Sequence, residues 1–228
     1  MIISRSPLLA ALSAICATLV AQNLSTAGRL PKPGVKEVQV PVSSLRPAAT
    51  IKAGRTADWV LVTENAVWVA TTKPDAVQRI DPATNKIVAS IKISGEACSG
   101  LASGIGSIWA PICGKKPALV RIDAAKNTIK ATLPISPAGP EGGIAASDDS
   151  VWLITLNRVN PSTNSVRQKT SIPPGSYNPI FSDGIVWITG VEKNVLTAVE
   201  ASSGKVLESI PVGPSRDFLR QEQAQCGR

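Results

Sequence analysis

The sequence predicts an all-β protein made of repeated four-stranded antiparallel units, and three observations carry that expectation. Short apolar runs rich in Val, Ile and Ala alternate with polar residues, and 17 Gly and 18 Pro punctuate them without forming a low-complexity block. A Val/Ile-Trp pair recurs at Val67-Trp68, Ile108-Trp109, Val151-Trp152 and Val186-Trp187, at Trp spacings of 41, 43 and 35 residues. Each Trp is followed by a hydrophobic residue and a turn-former: Ile80-Asp81, Ile122-Asp123, Val159-Asn160 and Val199-Glu200.

The chemistry of each segment assigns its element. An Asp or Asn opening "DPATNK", "DAAKNT" or "NPSTNS" can accept a hydrogen bond from its own backbone two residues on, and Pro in the next place presets φ for a type I turn. The Asn or Gly four residues later tolerates a left-handed backbone. An alternating strand follows each turn: "IVASIKI" (87–93), "TIKATLPI" (128–135), "VRQKTSI" (166–172) and "VLESIPV" (206–212). A small, apolar strand precedes each Trp: "DWVLV" (58–62), "GLASG" (100–104), "GIAAS" (143–147) and "PIFSDG" (179–184), as expected for strands crowded near an axis. Four strands in about 40 residues is the period of a β-propeller blade.

The expected blades are 57–93, 99–135, 142–172 and 178–212, within a repeat region 47–215. Residues 48–54 ("AATIKAG") match the outer strand of a further unit and stand as an orphan. The third copy is shorter than the others, as if residues were lost between "VWLIT" and "LNRVN". Residues 28–46 form an N-terminal extension. The pattern stops near 215, and 216–228 are polar and irregular; a shift of reading frame after Pro214 is one expected cause. Four blades in an open arc would expose apolar blade faces and unpaired edge strands, so self-association is expected; a closed four-bladed ring is the alternative.

The first 27 residues read as a secretory signal peptide. Arg5 supplies a positive start, "PLLAALSAICATLVA" (7–21) the apolar stretch, and "STA" (25–27) small residues before a cut. An uncleaved anchor is the other reading, and either leaves the remainder outside the cytoplasm, in the periplasm or secreted. No membrane span is expected in the mature chain. The net charge of +8 becomes +7 on loss of Arg5, with basic residues spread singly rather than clustered with aromatics. That is a solvated basic surface, with nucleic acid not expected as a partner.

"AVWVATTKPDAVQRIDPATNKIVASIKI" (66–93) and its copies resemble the YVTN-type repeats of secreted propellers and the virginiamycin B lyase (streptogramin lyase) family. The resemblance covers nearly all of 47–212. It implies a seven-bladed ring, of which about four blades are recognisable, so the chain reads as a truncated propeller. It also implies a carbon–oxygen lyase that opens a cyclic depsipeptide by elimination, with a His as base and acids holding Mg²⁺. This chain has no His, so no position takes that role. No catalytic residue, metal site or cofactor is expected. A non-catalytic binding or interaction module is the preferred function, with lyase activity as the alternative.

Two further expectations concern particular residues. Cys98 and Cys113 flank the turn "GIG" (104–106), and pairing 104 with 107 sets them face to face, as a disulfide in an oxidising compartment requires. Cys226 lacks a partner. A ligand or protein partner would meet the chain at the central funnel, where loops lead into the innermost strands and the copies differ most. Asp58, Trp59, Ser99, Glu141, Tyr177 and Asn178 are the funnel candidates; the alternative is that they are ordinary loop residues.

Overall fold

The structure is a computed structural model that describes residues 40–137, 143–147, 149–153, 157–173 and 175–213. Two compact units result, Met1–Ala48 and Ala49–Arg228. The described part of the first holds one 3-10 turn, Val42–Ser44, in which the Ser44 hydroxyl donates to the Pro41 carbonyl at 2.8 Å. The expected signal segment 1–27 and irregular tail 216–228, with Cys226, lie outside the described residues.

The second unit contains four sheets, each of four consecutive antiparallel strands. Blade one is β1 (Thr56–Thr63), β2 (Ala66–Thr72), β3 (Ala76–Asp81) and β4 (Lys86–Lys92). Blade two is β5 (Ala102–Gly104), β6 (Ser107–Ile112), β7 (Ala118–Asp123) and β8 (Thr128–Leu133). Blade three is β9 (Ile144–Ala146), β10 (Val151–Leu153), β11 (Asn157–Asn160) and β12 (Ser165–Lys169). Blade four is β13 (Ser176–Ser182), β14 (Ile185–Gly190), β15 (Val195–Glu200) and β16 (Val206–Pro211). Inner strands follow one another side by side, β1 by β5, β5 by β9 and β9 by β13. Residues 48–54 join no ladder.

The turns behave as their sequence demands. The Asp81 carboxylate accepts from the Ala83 amide (2.9 Å) and the Thr84 hydroxyl (2.8 Å), and Asp123 accepts from the Ala125 and Lys126 amides. These bonds hold both carboxyls below their ordinary range. Asn160 accepts from the Ser162 amide at 2.8 Å. Four residues after each turn opens, Asn85, Asn127, Asn164 and Gly204 sit at φ of 56°, 56°, 53° and 75°.

Strand period two sends alternate side chains to the two neighbouring blades. On β6, Ile108, Ala110 and Ile112 pack with Trp68, Ala70 and Val77 of blade one. The intervening Trp109 packs with Ile144, Val151 and Val159 of blade three. Trp152 joins Val186, Ile188 and Val199 of blade four. Each blade thus has a leading face, bearing its Trp, and a receiving face. All six residues of β6 are buried because both faces are covered.

An Arg on the third strand completes each joint. Arg79, Arg121 and Arg158 pair across the ladder with Trp68, Trp109 and Trp152 and lie 5.5, 4.9 and 5.5 Å from the ring centroids. Arg79 then donates to Ala124 O (3.4 Å) and Asn127 Oδ1 (3.3 Å) in the next blade's turn. Arg121 does the same to Pro161 O and, at 3.0 Å, to Asn164 Oδ1, and its Nε donates to Ser107 Oγ at 2.9 Å. Arg158 finds Gly204 where its predecessors find Asn, and it turns back to Asp149 (3.0 Å) and Ser150 (2.7 Å). In blade four Ala198 stands opposite Trp187, and the indole remains half-buried. A bulge recurs immediately after this position in all four blades, between Arg79/Ile80, Arg121/Ile122, Arg158/Val159 and Ala198/Val199.

Arg121→Ala leaves Pro161 O and Asn164 without their donor and uncovers Trp109, so it is expected to cost about 2–4 kcal/mol in denaturant unfolding. Arg79→Ala, at a half-buried site with longer bonds, is expected to cost less than half of that. Equal losses would show that the Arg residues contribute through something other than the joint.

Asp149 supplies a pH dependence. Burial pushes its carboxyl up, but donors from Ser150, Arg158 and Arg167 outweigh this and hold it below the ordinary value. A depressed folded pKa means the contribution is present above the unfolded value, about 3.9, and is lost as pH falls through the folded one. Thermal melts from pH 6 downward should therefore show an acid fall in Tm that is shallower in Asp149→Asn.

Candidate functional site

The loops leading into the inner strands converge, and they are where the repeat loses its regularity. β1 is bulged between Ala57 and Trp59, and β13 between Tyr177 and Ile180. Before β5, Ser99 (φ 62°) and Gly100 (φ 86°) interrupt the strand. A Cβ on Gly100 would stand 3.8 Å from Ile144 Cγ2 and 3.9 Å from Trp59 Cε3. A Cβ on Gly143 would stand 2.9 Å from Pro179 Cδ and 3.0 Å from Asn178 Cα, and Gly143 has φ of 82°. These contacts string the lead-ins of blades one to four together, and only glycine permits the last approach. Bulges at a sheet rim re-aim side chains, and these two fall at the inner strands of blades one and four.

Cys98 and Cys113 are bonded, with Cα atoms 5.8 Å apart. The pairing expected from the sequence is present, but its register differs. Gly104 does face Ser107, yet Ala97 bridges Ile112, two residues off that register. The left-handed pair Ser99-Gly100 absorbs the difference, so the two Cys are diagonal rather than opposite. The Cys98 amide donates to Pro111 O at 2.9 Å and the Cys113 amide to Glu96 O at 3.3 Å.

Beside this bridge is a cleft of about 210 Å³ lined by Asp58, Trp59, Glu96, Ala97, Cys98, Cys113 and Gly114. It brings together Asp58 and Trp59 of the funnel candidates and adds Glu96, which the sequence analysis passed over within "GEACSG". Asp58 and Glu96 are exposed, while Trp59 is half-buried against the first blade joint. Tyr177 (39% exposed) and Asn178 (φ 52°) lie at the blade-four lead-in, where the Thr189 hydroxyl donates to Tyr177 O at 2.8 Å. Ser99 is fully buried. Glu141 lies outside the described residues. An indole flanked by two carboxylates favours a cationic group, held by ring quadrupole and charge together.

Four consecutive four-stranded antiparallel sheets with adjoining inner strands and a shared mouth define a β-propeller. Solved structures with the same fold include a streptogramin B lyase (TM-score 0.51, 16% identity, covering 68% of this chain and 54% of that one). The dihydro-heme d1 dehydrogenase NirN matches with TM-score 0.54 and 15% identity over 69% of this chain and 38% of its own. U3-55K matches with TM-score 0.55 and 11% identity over 70% of this chain and 55% of its own. The aligned part thus spans about half of those proteins or less. The resemblance shows the fold. No family model matches the chain, and no curated protein sequence does.

The bridge closes a loop over a sequence separation of 15 residues, which corresponds to about 3 kcal/mol of stabilisation. Cys98→Ala/Cys113→Ala is expected to lose that amount, and the unmodified protein under dithiothreitol should melt with the variant. A wild type indifferent to reductant would mean the bridge leaves stability unchanged.

Proposed function

We propose that this chain is an exported β-propeller that binds a cationic ligand at the mouth of its inner strands and performs no chemistry on it. One observation carries the reading. The turns repeat from blade to blade while the inner lead-ins differ, and beside the bulged lead-in of blade one Asp58, Trp59 and Glu96 line a cleft. Tyr177 and Asn178 extend the same rim. Export is supported by the N-terminal apolar segment and by the Cys98–Cys113 bridge. An elimination reaction of the lyase type would need a general base, and the chain offers no imidazole.

Tetramethylammonium is a suitable probe, since it presents a cation without donors. Titration should quench tryptophan fluorescence saturably, and Asp58→Asn/Glu96→Gln should weaken the apparent affinity at least tenfold with the fold unchanged, because both positions are exposed. An equal response from wild type and variant, or no saturable response, would remove the cleft from consideration.

A further inference from the structure

We propose that the joint between blades one and two binds a singly charged carboxylate at its far end, away from the mouth. Successive joints use the same register positions with different residues. At the second joint the inner strands close tightly, since a Cβ on Gly104 would stand 2.6 Å from Ala146 Cβ. Arg121 is 4% exposed and its Nε donates to Ser107 Oγ, while the Trp109 indole N–H donates to Gly104 O at 3.2 Å. At the first joint Thr63 holds the position of Gly104, Ala66 that of Ser107 and Ser103 that of Ala146. Thr63 and Ser103 are bulkier than the Gly–Ala pair, and Ala66 has no side-chain oxygen to offer the Arg.

These substitutions coincide with a pocket of about 400 Å³ lined by Thr63, Glu64, Ala66, Trp68, Arg79 and Ser103, with the turn of blade two beside them. Arg79 is half-buried there. Its Nη1 reaches Ala124 O and Asn127 Oδ1 at 3.4 and 3.3 Å, while its Nε and Nη2 find no acceptor among the described residues. The Trp68 indole N–H likewise lacks the carbonyl that Trp109 finds in Gly104. The joint thus leaves three N–H donors unused on residues of one pocket, and donors withdrawn from water require an acceptor. The planar fork of a guanidinium matches a carboxylate, and a bond between the two is stronger than one between neutral groups. Glu64 is exposed on the rim and pairs with no cation among the described residues. Its charge opposes a second negative charge on a ligand, which selects a monoanion. β1 runs from Asp58 at the mouth to Thr63 at this pocket, so the two sites stand at opposite ends of the strand and the second does not rest on the first.

Propionate is the probe, with propionamide and succinate as its uncharged and doubly charged counterparts. Titrated into the full chain, propionate should move the indole N–H proton resonance of Trp68 saturably, the resonance being assigned by its loss in Trp68→Phe. Propionamide should leave it in place, and succinate should bind several-fold more weakly until Glu64→Gln narrows the gap. Ala66→Ser supplies the Nε acceptor that blade two has in Ser107, and it should weaken propionate binding about tenfold, the effect of one charge-assisted hydrogen bond. Arg79→Lys, which keeps the charge but not the fork, should do the same; if it loses its β-sheet circular dichroism, Ala66→Ser still decides. A wild type without a saturable shift overturns the proposal. So does a propionate affinity unchanged by Ala66→Ser, which would put the anion elsewhere. Succinate binding as tightly as propionate would overturn the assignment to a single charge.

Discussion

The joint between blades is the constraint on which the rest of the structure depends. A four-stranded sheet of this size has two apolar faces, and neither is stable in water alone. The Trp of one blade fills the space against the next, and an Arg stacked on it reaches across to the following turn. Packing and polar satisfaction therefore act at one place. The turn Asn serves both ends of this arrangement: its left-handed backbone shapes its own hairpin, and its side-chain oxygen receives the Arg of the preceding blade. Where Gly204 replaces Asn, the hairpin survives and the cross-blade bond does not.

Much of this fold is legible in the sequence because it rests on repetition. Trp, turn and strand return in a fixed order, and the Asx turns and left-handed residues fall where the dipeptides place them. The Arg was equally repeated, in "RID" twice and "RVN" once, yet it has no meaning until the strand pairing puts it opposite the Trp. The Cys98–Cys113 bridge was legible as a pair but not in register, because the shift depends on two consecutive left-handed residues, one of them Ser99. A serine there gives no local signal.

The mouth was the least legible part. Asp58 and Trp59 share a cleft, and Glu96 joins it from the blade-two lead-in, which the left-handed pair Ser99-Gly100 interrupts. Ser99 itself is fully buried. Irregular strand ends escape pattern reading for a physical reason: one added residue reverses which side chains face each side of the sheet. The regular half of each blade is written in its periodicity, and the irregular half is written in backbone angles.

The complete burial of β6 has a consequence for how the protein comes apart. Among the described strands the main contacts between blades join sequential neighbours, so the free energy is close to a row of nearest-neighbour couplings, and a blade with two neighbours is held twice. Opening should begin at the flanks and move inward, as a stack of plates loses its outermost members first. The amides of β6 would then exchange with solvent last, marking blade two as the kinetic keel of the molecule.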